Sequence, residues 1–416
     1  MHIRHLSLTN FRNYGRLEID LSPGATLLHG NNAQGKTNLM EAVYYLATTR
    51  SPHAEQDQQL INWDAGEADE PVVVGRIVAQ IVTPQEERLL EMRLIRENKR
   101  GTNSFRREAL INHRKVRLMD LLGNLRVVLF LPEDIQLVTG PPSQRRRYLD
   151  ITLCQTDPIY CRTLSHYNKV LEQRNALLRQ LAEGAGSRDL LSIYNEKVVD
   201  LGSGIFVKRA GFCESMAREA QRIHYEELTN GAESIRLHYL PQLQENRWPR
   251  SASANEPTDL GQWLHAQKTN MPAVRDKFRI ALEQVQDSDV ARGSSSIGPH
   301  RDDWRIWING RDLSHYGSRG QQRSAILSLK MAEINWMTQQ TGDTPILLLD
   351  EVVAELDEKR RALLLRYVQN ATQALLTATD PGMFTDDFLQ QSSRMVVQNG
   401  RIALENHLSN QARGSS

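Results

Sequence analysis

Eight residues, Gly30 to Thr37 (GNNAQGKT), have the types and spacing needed to wrap a phosphate chain. The run fits the pattern of a glycine, four free positions, then Gly-Lys-Thr. Gly30 and Gly35 permit the tight turn, with Asn31, Asn32, Ala33 and Gln34 supplying the backbone N–H groups of the wrap. Lys36 is placed to set its ammonium on the β- and γ-phosphates of a nucleotide, and Thr37 its hydroxyl on Mg2+. A second cluster ends the run ILLLDE, Ile346 to Glu351. There Asp350 is positioned to hold Mg2+ through water, and Glu351 to orient or deprotonate the water that attacks a γ-phosphate. A third lies in SRGQQ, where Ser318, Gly320 and Gln321 gather a hydroxyl, backbone N–H groups and an amide at the start of a helical run, itself an anion site.

These residues need particular elements behind them. Ala25 to His29 is an apolar run introduced by Pro23-Gly24, and Asn38 to Ala47 has helical periodicity, so the phosphate loop is expected between a strand and a helix. Ile346 to Leu349 reads as a buried central strand that delivers Asp350 at its carboxyl edge beside that loop. Val127 to Leu131 (VVLFL) is a second continuous apolar run of the kind buried on both faces. Residues 1 to 20 read as a hairpin through Ile3, Leu6, Leu8, Leu17 and Ile19, and further strands are expected at Val72 to Val82, Arg88 to Arg96 and Ala109 to Asn112.

With 416 residues and 40% hydrophobic content, two domains, or one domain with a large insertion, are expected. The formal net charge is only +1, so nucleic-acid affinity must come from local basic patches. From Arg88 to Arg117 there are ten Lys/Arg against three Glu, with Phe105 interleaved as a stacking candidate. Two readings stand for this stretch: the solvated face of a sheet, or a nucleic-acid contact through Lys99, Arg100, Arg106 and Arg107. The three cysteines, Cys154, Cys161 and Cys213, form no CxxC pair and read as buried thiols of a reducing compartment. The first residues contain no apolar core of a signal peptide, and no run approaches the roughly 20 apolar residues of a membrane span, so a cytoplasmic protein without a membrane partner is expected.

Pro132 to Asp150 (PEDIQLVTGPPSQRRRYLD) carries two helix starts, with Arg145, Arg146 and Arg147 in the first turn of the second. Cations there oppose the helix dipole, so a negative partner is expected, either a phosphate or, preferred here, Glu133 and Asp134. Two amphipathic helices follow. One has a seam through Leu164, Tyr167, Leu171, Leu178 and Leu181 interrupted by Arg174, and the other a seam through Tyr194, Val198, Leu201, Ile205 and Phe212. Joined by the Gly184 to Gly186 break, they read as an antiparallel hairpin that either packs without further function or forms an arm toward a partner. Residues 151–290 are thus expected to form a helical insertion, and 1–150 with 291–416 the nucleotide-binding head.

Taken together, GNNAQGKT, PEDIQLVTGPPSQRRRYLD, GPHRDD, SRGQQ and LLLDEVVAELDEKRRALL resemble the RecF family of bacterial recombinational repair proteins, whose head resembles those of ABC and SMC ATPases. The resemblance covers nearly the whole chain. It implies an α/β fold, a P-loop NTPase head of ABC/SMC type with a mixed sheet and an inserted, mainly helical second domain. It makes Asp350 and Glu351 the Walker B pair, Ala354 to Asp357 the D-loop and SRGQQ the signature. By the same resemblance the chain binds ATP and Mg2+, hydrolyses ATP slowly with DNA stimulation, and forms an ATP-dependent homodimer. It is expected to recognise single-stranded and gapped duplex DNA, to help load recombinase with RecO and RecR, and to serve replication restart and SOS induction. Two features depart from the wider ABC pattern: Thr379 and Asp380 stand where a switch histidine is usual, and Gln136 is only a provisional Q-loop residue. A competing reading is a non-catalytic scaffold with ATP as a structural ligand. An OLD-type nuclease needs an acidic metal domain after the ATPase, for which the 65 residues beyond Glu351 are expected to leave no room.

Overall fold

Packing contacts divide the chain into two units, Met1–Pro132 with Met337–Ser416, and Glu133–Trp336. The computed structural model describes residues 1–66, 71–99, 102–244 and 260–405. The expected boundaries at 150 and 291 both fall inside the second unit, because the segments flanking the helical hairpin are bonded to each other. Arg145 grips Asp303 through Nε and Nη2 at 2.6 and 2.9 Å, and the Trp304 indole N–H donates to the Arg145 carbonyl.

The first unit contains two sheets. One is antiparallel, in the order Tyr14–Asp20, His2–Phe11, Val72–Val82, Glu87–Lys99, Thr102–Ile111, Arg114–Val116. Its first hairpin pairs Leu6 with Ile19 and Leu8 with Leu17, so the alternating apolar residues share the buried face. The strands Glu87–Lys99 and Thr102–Ile111 run longer than their composition indicates. Charged residues meet across the two strands, as in the Arg93–Glu108 register pair, and ion pairs such as Arg106–Glu97 stabilise an outer face that reads from sequence as too polar for a strand.

The other sheet orders Arg401–Leu404, Ser393–Gln398, Gly24–His29, Gln373–Ala378, Ile346–Asp350 and Val127–Phe130. Every pairing is parallel except the edge hairpin of its last two chain segments. Ile346 to Leu349 and Val127 to Phe130 are buried, as continuous apolar runs in a parallel sheet require. A single apolar cluster joins residues of both sheets to the helix Lys36–Thr48 through Leu39, Met40, Val43 and Leu46.

The second unit is mainly helical. Pro158–Ala182 and Arg188–Arg222 form the expected hairpin, with Asp157 capping the first helix and Ser187 the second. Gly184 and Gly186 both take positive φ in the connection. Arg174 does not interrupt the seam but is fully buried in it, bonded to Asp289 of the helix Met271–Arg292 at 2.9 Å, to Asn195 at 2.7 Å and to Ser295 at 2.6 Å. Ile235–Leu240, Asp303–Ile308 and Arg311–Asp312 form a small antiparallel sheet. Among the described residues no helix is long and apolar enough to cross a membrane. The three cysteines are buried and free.

Candidate nucleotide-binding site

The phosphate loop joins the strand Gly24–His29 to the helix Lys36–Thr48. Gly30 at φ 144° and Gly35 at φ 117° hold conformations that L side chains rarely adopt. A Cβ on Gly30 would lie 2.4 Å from the Val397 carbonyl oxygen, and one on Gly35 within 3 Å of Asn13 and Tyr14. Asn13 donates to the Gln34 carbonyl, the Tyr14 hydroxyl donates to the Gly35 carbonyl, and the Asn399 N–H is accepted by the Gln34 side chain. Both flanking hairpins therefore hold the loop. Lys36 is almost wholly buried and donates to the carbonyls of Gly30 at 2.7 Å and Asn31 at 3.0 Å, which curls its ammonium back over the loop.

The two clusters separated by most of the sequence come together at the carboxyl edge of the parallel sheet. Thr37 donates its hydroxyl to Asp350 Oδ1 at 3.1 Å, and Glu351 Oε1 stands 3.4 Å from Lys36 Nζ. Asp350 pairs in register with Thr377, whose hydroxyl donates to Asp350 Oδ1 at 2.6 Å and accepts the Glu351 N–H at 2.9 Å. Glu351 takes the left-handed conformation, φ 54° and ψ 5°, a sparsely populated state for a non-glycine residue. Burial pushes the Asp350 carboxyl up from its usual range; the bonds from Thr377 and Thr37 oppose this, and the Glu351 charge adds to it. A buried carboxyl so placed, beside a hydroxyl and a second carboxylate, fits a Mg2+ ion, which prefers hard oxygen donors, and the Lys36 ammonium fits a phosphate.

Behind this edge Glu41 is buried and held by Arg12 at 2.7 and 2.9 Å and by Ser51 at 2.5 Å. Ser51 Oγ also accepts the N–H groups of His53 and Ala54. Of the expected D-loop, Ala354 and Glu355 are exposed on a 3-10 turn, and Asp357 caps the helix Glu358–Asn370. Thr379 and Asp380 are exposed, with Asp380 accepting the Gly382 N–H.

Ser318, Gly320 and Gln321 belong to the second unit, at the start of the helix Arg319–Thr341. Ser318 and Gln321 form a reciprocal cap: the Ser318 N–H donates to Gln321 Oε1 at 2.9 Å, and the Gln321 N–H to Ser318 Oγ at 3.2 Å. Gln136 accepts from the Gln144 amide. The partners of Arg145 and Arg146 are Asp303 and the Asp302 carbonyl in place of the expected Glu133 and Asp134; Asp134 instead lies 3.4 Å from Lys330.

In the basic stretch, Arg106 pairs with Glu97 and Glu108, while Arg107 pairs with Asp57 at 2.7 Å and donates to the Thr49 carbonyl. Phe105 packs on the core instead of standing free as a stacking group. Lys99 closes the Lys99–Thr102 backbone pairing, and Arg100 lies outside the described residues, as do the loop Glu245 to Asp259 and the tail from Asn406.

Residues 2–403 match the family model described as RecF/RecN/SMC N terminal domain. The DNA replication and repair protein RecF of Chloroflexus aurantiacus is 40% identical, over 97% of this chain and 99% of its own length. The chain belongs to the RecF family. The RecF of Bacillus subtilis is 35% identical over 97% of this chain and all of its own length. A solved RecF–ATPrS structure, of the recombination mediator protein in the RecFOR pathway, superimposes with a TM-score of 0.80 at 28% identity, covering 97% of this chain and 98% of that one. The SMC head bound to the C-winged helix domain of ScpA, at a TM-score of 0.50 and 15% identity over 99% of this chain and 100% of that one, shares the fold. The family's P-loop head of ABC/SMC type is thus the architecture of this chain, with its mixed sheet and helical second unit.

Three groups at this edge were not singled out from sequence. Thr377 lies in ALLTATDP, two positions before the expected switch residue, and its signal is register: a hydroxyl on the strand beside Asp350. Asn13, and Glu41 with its partners, carry no spacing that marks them, because only the fold brings them to the loop.

Proposed function

We propose that this chain is a Mg2+-dependent ATP-binding and slowly hydrolysing protein of DNA replication and repair that acts as an ATP-closed homodimer. The convergence of Lys36, Thr37, Asp350 and Glu351 at one sheet edge carries this reading. ATP would be held by the loop Gly30 to Thr37, and Mg2+ by Thr37 and Asp350; when bound, the ion supplies charge neutralisation to the phosphates. Lys36 binds and orients the phosphates, and Glu351, half-exposed and held at its N–H by Thr377, takes the proton of the attacking water at its carboxylate. Ser318 and Gln321, with Gly320 between them, would close on ATP held by a second copy, each copy supplying one half of two composite sites. The relatives' name and the RecFOR description of the solved relative support DNA as ligand and RecO and RecR as partners. Loading of recombinase at gapped and single-stranded DNA and SOS induction fit the same reading, in a cytoplasmic setting.

DNA would meet the basic strands Glu87–Lys99 and Thr102–Ile111 through Lys99, Arg100 and Arg106. Arg107, tied to Asp57, supports that face more than it offers charge. Measurement of ATP turnover with and without gapped duplex tests the function: stimulation is expected, and tight ATP binding without turnover would favour the scaffold reading. Replacing Lys99, Arg100, Arg106 and Arg107 by Glu should lower the salt slope of DNA binding by about one per lost phosphate contact. An unchanged slope would leave the patch a solvated face.

A further inference from the structure

The signature residues are held from behind by a group outside any motif. The helix Arg188–Arg222 continues into a π-helical turn, Ile223–Leu228, and the chain then reverses through Asn230 and Gly231, both at positive φ. Such turns are rare and recur at functional positions. The reversal is secured by Thr229, whose hydroxyl donates to the His224 carbonyl at 2.8 Å and accepts the Glu233 N–H at 3.3 Å. The next residue is pinned as well, the Ser234 N–H donating to Asn309 at 3.0 Å. Glu233 therefore has a fixed backbone and a carboxylate with two partners. Its Oε1 accepts the Gln321 amide N–H at 2.7 Å, and its Oε2 lies 3.3 Å from Nε2 of the fully buried His224. The other ring nitrogen of His224 meets Ser328 Oγ at 3.2 Å, and that hydroxyl donates to the Ser324 carbonyl one turn back in the signature helix.

We propose that Glu233 is a positioning residue for the signature, setting the Gln321 amide so that it holds the Ser318 N–H and Ser318 presents its hydroxyl in one geometry. The logic is donor and acceptor accounting. Gln321 has one amide oxygen and one amide nitrogen; the nitrogen is committed to Glu233, which turns the oxygen toward the Ser318 N–H. Without the carboxylate, the amide can flip or swing away, and the reciprocal cap loses one of its two bonds. The second carboxylate oxygen packs 3.3 Å from His224 Nε2 and the chain reversal fixes the Glu233 backbone, so the carboxylate has little room to follow the amide. Because the π-helical turn is the direct continuation of Arg188–Arg222, Glu233 adds a link from the end of that helix to the N-terminus of the signature helix, beside the His224–Ser328 and Glu219–Asn335 contacts further along it. Displacement of that helix end would reach Ser318 through Glu233.

This inference rests on the proposed closure of the signature over ATP held by a second copy, and its test separates the two. The full-length unmutated protein, Glu233→Ala and Glu233→Gln are sized by light scattering across an ATP titration, with nucleotide affinity and thermal unfolding measured in parallel. Gln at 233 can still accept the Gln321 amide N–H through its own oxygen. The expected result is that Glu233→Ala needs at least tenfold more ATP for half-dimerisation, and Glu233→Gln stays within about threefold of the unmutated protein. Nucleotide affinity of the monomer should be unchanged in all three. Equal ATP requirements for Glu233→Ala and the unmutated protein would overturn the positioning role. So would a shift in Glu233→Gln as large as in Glu233→Ala, or a loss in Glu233→Ala that merely tracks a lowered unfolding temperature. An unmutated protein that stays monomeric at saturating ATP would overturn the closure reading and this inference with it.

Discussion

Thr37 and Asp350 stand 313 positions apart in the chain and are joined by a hydrogen bond of 3.1 Å. The same Asp350 oxygen accepts from Thr377, which also holds the Glu351 N–H. The phosphate loop, the acidic strand end and the adjacent strand therefore form one bonded set, in which Thr377 holds the Asp350 carboxylate and the Glu351 backbone. Thr377→Val keeps the side-chain shape and removes the hydroxyl, leaving a buried carboxyl with one donor fewer, a cost of about 1–3 kcal/mol. Turnover is expected to fall at least tenfold, with nucleotide affinity changed by less than about threefold. Steady-state phosphate release and equilibrium binding check this, and unchanged turnover would remove Thr377 from the site.

On the proposed function, Lys36 serves binding and Glu351 the chemistry. Lys36→Ala removes the cation curled over the loop and is expected to abolish ATP binding. Glu351→Gln keeps the side chain's shape and is expected to bind ATP normally while stalling hydrolysis. A Glu351→Gln protein with ordinary turnover would show that another group serves as base.

The Arg174–Asp289 pair, between the hairpin helix Pro158–Ala182 and the helix Met271–Arg292, has both side chains fully buried. Removing one partner leaves an uncompensated charge, so Asp289→Ala is expected to destabilise the second unit by about 3–5 kcal/mol. Urea unfolding followed by circular dichroism measures it. A loss below 1 kcal/mol would mean that Arg174 finds other partners or water.

His300, in the loop GPHRDD, accepts the Tyr167 hydroxyl at Nδ1 and donates from Nε2 to the Ser295 carbonyl. Burial pushes its pKa down to about 3, against the pull of the Ser295 bond and with help from the Arg301, Arg146 and Arg174 cations. The folded value lies below the ordinary 6.5 of the unfolded chain, so its contribution is present above about pH 6.5 and is lost as pH falls toward 3. His300→Gln can keep both hydrogen bonds without titrating. Its stability should therefore fall less steeply than the parent's between pH 6.5 and 4, by up to about 1.4 kcal/mol per pH unit. Parallel slopes in chemical denaturation would show that His300 does not stay neutral in the fold.

The phosphate loop, the buried strand Ile346–Asp350 and the helical hairpin were legible because each rests on local pattern: glycine spacing, a continuous apolar run, a heptad seam. Arg174 reads as a flaw in that seam, since its partner Asp289 lies 115 positions on and pattern cannot reveal a buried pair. Likewise, Arg145 correctly calls for a negative partner, but nearness in sequence points to Glu133 and Asp134, whereas strand and helix packing supplies Asp303. Thr377 and Glu233 are invisible for the same reason: their roles come from register and chain reversal. The charged strands Glu87–Lys99 and Thr102–Ile111 are under-read because one solvated face masks their period of two.

Mixing two inactive variants shows whether each ATP is enclosed by Lys36 of one copy and Ser318 of another. Lys36→Ala lacks the nucleotide clamp and keeps the signature; Ser318→Arg keeps the phosphate loop and lacks the signature. A heterodimer of the two rebuilds one intact composite site, so ATPase activity should reappear on mixing, in proportion to the heterodimer formed. No recovery, in a mixture shown by mass measurement to contain heterodimers, would contradict the shared site.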